Sequence, residues 1–219
     1  MERKEVGDYI IDRTISSYDR KIKHGIHKKS GNQVIIRVYD KHSFDSNIDK
    51  YIEIRQNLAI FSLLDHPHIL KLIEVFETSR ELYVVVEYAS NGDMLDFLIQ
   101  KEKLSVQESL KFFRELIYGL DYLQNHHQVY YDTLSLDHIL LDEFEHVKLN
   151  IFNSRQLNKP NPLEENDSWP NYASPELIRG QASSQDPESQ IVWACGVILY
   201  TFLTVCFFIY FIFAYHFLI

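Results

Sequence analysis

Short runs rich in β-branched and aromatic residues open the chain. Tyr9 to Ile15, Lys21 to His27 and Val34 to Tyr39 predict three strands, with Lys29-Ser30-Gly31-Asn32 as the turn between the last two. Residues 46 to 64 predict a helix that stops before His66-Pro67, because proline pushes its neighbour away from helical backbone angles. Leu70 to Phe76 and Leu82 to Tyr88 flank Thr78-Ser79-Arg80-Glu81 as a second hairpin. From residue 91 the period lengthens. Asp93 to Gln100 suits a short helix, and Ser105 with Glu108 forms a capping box ahead of a longer one. In that helix Leu110, Phe113, Leu116, Ile117, Leu120 and Leu123 recur at three- and four-residue spacing, out to about Leu123. Short strands, a polar loop from Asn153 to Asn171 and an apolar tail complete the order. Strands with one helix, then mostly helices, is the pattern of an α+β fold with two segregated lobes.

Composition narrows the class. Of 219 residues, 46% are hydrophobic and 24% charged, enough to build a core and too apolar for a disordered chain. The net charge of −9 speaks against a nucleic-acid partner, which requires a basic footprint. The basic stretch Lys21 to Lys29 is the local exception and is read as the solvated face of an edge hairpin. The two cysteines, Cys195 and Cys206, would stand about 16 Å apart on a helix, too far for a disulfide, so a reducing compartment is expected. The N-terminal MERKEVGDYI lacks the apolar core of a secretory signal.

Several segments then fall into a familiar order. VGDYIIDRTI resembles the first strand of a eukaryotic protein kinase, and HPHILKLIEVFETSRELYVVVEYASNGDMLDFL resembles the stretch from the third helix through the interlobe hinge. LIYGLDYLQNHH, YASPELI and VWACGVILYTFLT resemble the helix before the catalytic loop, the end of the activation segment and the central large-lobe helix. The wording is most similar to the calcium/calmodulin-dependent and SNF1-like serine/threonine group. The resemblance implies a two-lobed kinase-like fold over residues 7–204, with a small lobe at 7–88 and an incomplete large lobe at 89–204 lacking its last helices.

Carried over position by position, the resemblance locates the chemistry and finds it replaced. The glycine-rich phosphate loop aligns with Ser16-Ser17-Tyr18-Asp19-Arg20, which has no glycine. The strand lysine aligns with Arg37, the third-helix glutamate with Asn57, and the metal-binding aspartate with Ile151. In YYDTLSLDHILLDE, counting back from Ile139-Leu140-Leu141 puts His138 at the asparagine position and Thr133 at that of the catalytic base. Asp132 would serve as the base only through a one-residue bulge. Trp169 takes the place of a substrate-side Ser/Thr, and Ile191 that of the aspartate opening the central helix. An adenine pocket and hinge are implied at Ile22, Ile35, Val86, Glu87, Ala89 and Leu140, weakened because Ile35 replaces a small alanine. Phe61, Leu72, Phe152 and Tyr131 keep the apolar positions that stack through the kinase core. No metal site is expected: imidazole is a poor Mg²⁺ ligand, and the His66/His68 and His126/His127 pairs lack zinc-site companions. The expected function is that of a pseudokinase binding an unidentified protein partner. The alternatives are a divergent serine/threonine kinase using Asp132 with ATP and Mg²⁺, and a truncated fragment without function.

The last 29 residues, 191–219, carry no charge. Their length suits a transmembrane helix, and an anchored protein with a cytosolic body is the expectation, a cytoplasmic one the fallback. That reading competes with residues 191 to 204 serving as a buried helix of the large lobe. Glu176, in the P-E motif, is expected to be a buried carboxylate without its usual arginine.

Overall fold

A computed structural model describes residues 4–15, 22–44, 48–127, 129, 134–153, 169–179 and 187–204. The chain divides into two compact units. The first takes in residues 1–65 and 70–88, and the second residues 66–69 and 89–219.

The first unit is a six-stranded antiparallel sheet with one helix. Its strands are β1 (Lys4–Val6), β2 (Tyr9–Thr14), β3 (Ile22–His27), β4 (Gln33–Asp40), β5 (Leu72–Glu77) and β6 (Glu81–Glu87), in the order β1-β2-β3-β4-β6-β5. The sheet is one strand wider than the sequence pattern predicts, because Lys4–Val6 pairs back on β2 around Gly7. β3 pairs with β2 on one side and β4 on the other, so it is an interior strand, not the edge hairpin expected of the basic stretch. Within it His24 is only 4% exposed, and Gly25 is required: a Cβ there would stand 2.6 Å from Ile36 Cδ1. At the β3–β4 turn Gly31 adopts a positive φ of 73°, open to glycine at no steric cost. One face of the sheet buries Val6, Tyr9, Val34, Ile36, Tyr83 and Val85 as a core, with Phe76 stacked on Tyr83. Helix α1 (Ile48–Phe61) buries Ile54, Leu58 and Phe61, the i, i+4, i+7 stripe of an amphipathic helix.

The second unit is mainly helical. Helix α2 (Met94–Lys101) begins at Asp93, whose carboxylate accepts from the Asp96 N–H at 2.9 Å. Helix α3 (Val106–His127) begins at the predicted capping box: Glu108 Oε2 accepts the Ser105 N–H at 2.8 Å while Ser105 Oγ accepts the Glu108 N–H at 3.2 Å. It runs one turn beyond Leu123, and its buried stripe is rotated from the predicted one. Phe112, Glu115 and Gly119 are buried, whereas Leu110 and Ile117 are exposed. The hairpin of β7 (Ile139–Leu141) and β8 (Val147–Leu149) packs on α3, followed by the short helix α4 (Pro175–Ile178) and by α5 (Pro187–Thr204). Ser174 caps α4, and Glu176 in its first turn is exposed, so it carries no burial penalty, contrary to expectation.

Helix α5 settles the competition over residues 191–204. Ile191, Ala194, Cys195, Ile198 and Phe202 are buried, Ile198 and Phe202 fully, and Ser109 Oγ of α3 donates to the Phe202 carbonyl at 3.0 Å. A helix bound this way is part of the unit's core and is not stripped out as an anchor. Among the described residues no helix is long and apolar enough to cross a membrane. Residues 205–219 of the expected span lie outside the described residues.

Candidate functional site

In the first unit, side-chain alternation along β4 sets the geometry. Val34 and Ile36 point into the core, at 1% and 0% exposure, so Ile35 and Arg37 lie on the opposite face, each half-buried. Ile35 pairs with His24 and Val86, and Arg37 with Ile22 and Val84. Directly opposed residues share a face, so Ile22, Ile35, Arg37 and Val86 come together as one surface of the sheet. Four residues that the resemblance assigns to the nucleotide are therefore neighbours. With His24 and Val84, which share the face, the surface they make is aliphatic except for the Arg37 guanidinium and the buried His24 imidazole. Glu87 ends the strand with Oε1 accepting the Lys71 N–H at 2.8 Å, and its own N–H donates to the Lys71 carbonyl. Asn57 sits half-buried on α1 between the buried Ile54 and Leu58.

In the second unit the β7–β8 hairpin does the positioning. His138 closes a 3-10 turn over Leu136–His138 and is 5% exposed. Its carbonyl accepts the Asn150 N–H at 2.8 Å, which brings His138 and Ile151 to the same end of the hairpin. Ile151 is 1% exposed and begins a second 3-10 turn; the Phe152 N–H donates to Asn150 Oδ1 at 3.2 Å, and the Phe152 ring is buried. His138 Nε2 stands 3.7 Å from Asp137 Oδ2. Leu140 bridges to Asp93, and Ala89, 9% exposed, lies just before that contact in the chain. An imidazole and a buried hydrocarbon do not supply the hard oxygen ligands that Mg²⁺ requires. Thr133, Asp132 and Tyr131, with the 16–20 stretch, lie outside the described residues.

Five polar residues carry structural weight that hydrophobic periodicity does not reveal. Glu115 is buried in α3, where Oε2 accepts the Val147 N–H at 2.9 Å and Oε1 accepts from His146 Nδ1 at 3.0 Å. Beside it His68 Nδ1 donates to the Val147 carbonyl at 3.1 Å, tying residues 66–69 to this unit. Tyr172 is buried against the 134–138 loop. Burial, then the charge of Asp137, pushes its pKa up. Ser135 is fully buried with no hydrogen-bond partner for Oγ among the described residues. His24 Nε2 lies 2.9 Å from Gln33 Oε1, and its Nδ1 is 3.4 Å from Asp12 Oδ2, within ion-pair reach but not aligned as a hydrogen bond. Periodicity hides such residues: a polar side chain on a buried stripe is read as solvent-facing until its partners are seen.

Residues 20–210 match the family model of the protein kinase domain. The chain belongs to the protein kinase family. Among curated kinases it is 34% identical, over 93% of its length, to a probable serine/threonine-protein kinase of Dictyostelium discoideum. It is 35% identical to the carbon catabolite-derepressing protein kinase of Saccharomyces cerevisiae and 36% to that of Candida glabrata, over 90% of its length in each case. It spans 24% of the first relative and 31% and 32% of the other two. The kinase resemblance read from HPHIL, VVVEYA and YASPELI is thus the family's, and the sheet-plus-helix first unit and helical second unit are its fold.

Proposed function

We propose that this kinase-family chain does not transfer phosphate and acts as a binding module for another protein. The observation that carries the reading is Ile151. The metal-ligating position holds a hydrocarbon at 1% exposure, at the hairpin end it shares with a buried imidazole at His138. Phosphoryl transfer rests on metal ions and positioned charge around the phosphates, and the protein adds little covalent chemistry of its own. Arg37 supports the same reading, since a planar guanidinium does not reproduce a lysine's compact charge. So do Asn57, where an ion-pair carboxylate is expected, and Thr133, where the base is expected.

The competing reading is a divergent serine/threonine kinase. The names of the relatives favour it, and Asp132 would be its base. The test is transfer of labelled γ-phosphate from Mg²⁺-ATP to a generic protein substrate, run beside thermal melts with and without Mg²⁺-ATP. We expect no transfer and no shift in melting temperature. Transfer that disappears in Asp132→Asn overturns the proposal in favour of the kinase.

A further inference from the structure

Residues 66–69 belong to the second unit, although the chain on either side of them, to 65 and from 70 to 88, belongs to the first. They form a tight turn with Pro67 at its second position, in which the Ile69 N–H donates to the His66 carbonyl at 3.1 Å. Inside the turn His66 Nδ1 accepts the His68 N–H at 3.2 Å, an imidazole in the role that an Asn or Asp side chain takes in an Asx turn. The turn is what seats the segment. Its His68 carbonyl accepts the Leu149 N–H at 2.9 Å, Ile69 bridges to Leu149, and the same carbonyl lies against α3, 3.0 Å from where a Cβ on Gly119 would stand. The His66 and His68 rings are 5.5 Å apart and need opposite states at Nδ1. His66 must be bare there to accept, and His68 must carry a proton there to donate to the Val147 carbonyl at 3.1 Å.

We propose that His66 is a proton-operated latch, which seats residues 66–69 on the second unit while neutral and releases them when protonated. A neutral ring with Nδ1 bare already carries its proton on Nε2, so a second proton can go only to Nδ1. There it removes the lone pair that the His68 N–H uses and sets one N–H against another. The surroundings oppose that charge. The ring is half-buried and stacks on Tyr122 of α3 at 4.7 Å and 21°. Burial, then the charge of His68, holds its pKa below the ordinary histidine value; Asp121 pulls the other way, and His126 and Lys148 add to the depression. The next groups out are Tyr118, Glu115 and His146 around His68, and His127, whose Nε2 lies 3.1 Å from the Tyr122 hydroxyl. Asp65, which precedes His66, is engaged with Lys71 at 2.9 Å. His68 and His146 keep their contacts when protonated, because His68 Nδ1 already donates and His146 Nδ1 faces Glu115 Oε1 at 3.0 Å. An unfolded histidine takes its proton at about 6.5, before the seated His66 does. The latch is therefore fully shut above that value and opens as pH falls through the lower folded one.

The experiment is amide hydrogen exchange of the full chain by NMR from about pH 8 to about pH 5, corrected for the intrinsic exchange rate, beside titration of the imidazole signals. We expect the Ile69 and Leu149 amides to lose protection several-fold as pH falls, the β6 amides to keep theirs, and His66 to titrate below the ordinary histidine value. His66→Asn supplies an acceptor for the His68 N–H that takes no proton in this range, and should make the protection independent of pH. His66→Phe keeps a ring to stack on Tyr122 but no acceptor, and should leave both amides poorly protected at every pH. Asp121→Asn removes the carboxylate that favours the charged ring, and should move the opening to lower pH. Should a variant fail to fold, the unsubstituted chain decides. His66 titrating at or above the ordinary value overturns the inference, and so does protection at Ile69 and Leu149 that does not change with pH. Protection that falls equally in His66→Asn puts the responsible proton elsewhere and overturns it too. None of these readouts depends on whether the protein transfers phosphate.

Discussion

Replacing Glu115 by alanine should be among the most damaging single changes in the second unit. The carboxylate is 6% exposed and holds two partners, the Val147 N–H at 2.9 Å and His146 Nδ1 at 3.0 Å. Removing it leaves the buried Val147 N–H unsatisfied, about 1–3 kcal/mol. The truncated side chain also leaves a cavity beside α3, adding about 1 kcal/mol or more. The contact with His146 adds little, because that ring is 48% exposed and its attraction is screened by water. The sum is about 3 kcal/mol, or about 6–12 °C in melting temperature for a chain of this size. Glu115→Gln keeps an acceptor of the same shape for Val147 and should lose only about 1 kcal/mol. Urea unfolding of both variants, followed by far-ultraviolet circular dichroism, measures the difference. If Glu115→Ala unfolds within about 0.5 kcal/mol of the parent, the buried carboxylate is not what joins the β7–β8 hairpin to α3.

Three further outcomes are expected. Gly25→Ala places a Cβ 2.6 Å from Ile36 Cδ1 in the sheet core and should destabilise the first unit by about 1–3 kcal/mol in the same assay. Burial, then the hydrogen bond to Glu74 for Tyr9 and to Glu81 for Tyr83, raises both phenols to about 12. The folded state therefore keeps protons that the unfolded state loses above its value of about 10, so the contribution of these two tyrosines is constant below pH ~10 and is lost as pH rises toward ~12. Ultraviolet titration should show these two tyrosinates forming late, and Tyr9→Phe with Tyr83→Phe should flatten the alkaline fall. The Lys101 ammonium, then the Ser105 N–H and hydroxyl, holds Glu108 down at about 2. Its contribution is complete above the ordinary glutamate value and is lost as pH falls through ~2, so Glu108→Gln should remove that part of the acid dependence and fray the start of α3.

Much of this protein is legible without coordinates, for a local physical reason. The strands from Tyr9 to Tyr88, the turn at Gly31 and the cap at Ser105–Glu108 depend on residues close in sequence. Their side chains report backbone preference and nearest-neighbour hydrogen bonds directly. The order of motifs such as HPHIL, VVVEYA and YASPELI identifies the family, and the proposed replacements at Arg37, Asn57, His138 and Ile151 follow from the register that the resemblance sets.

Tertiary structure alone decided what depends on distant partners. β1 is three residues long, and only its pairing with β2 makes it a strand. The rotation of the α3 stripe, with Glu115 inward and Leu110 outward, follows from the β7–β8 hairpin offering a backbone N–H and a histidine to a carboxylate. Hydrophobic periodicity ranks Leu above Glu for burial and cannot anticipate such a partner 32 residues away. His24 reads as one of a solvated basic run until β4 supplies Gln33 and the sheet closes over it. The uncharged stretch from residue 191 was equally suited to a membrane or a core by composition. The burial of Ile198 and Phe202, with the Phe202 carbonyl accepting from Ser109 of α3, assigned one side of residues 191–204 to the protein interior and left the other side of the same helix exposed.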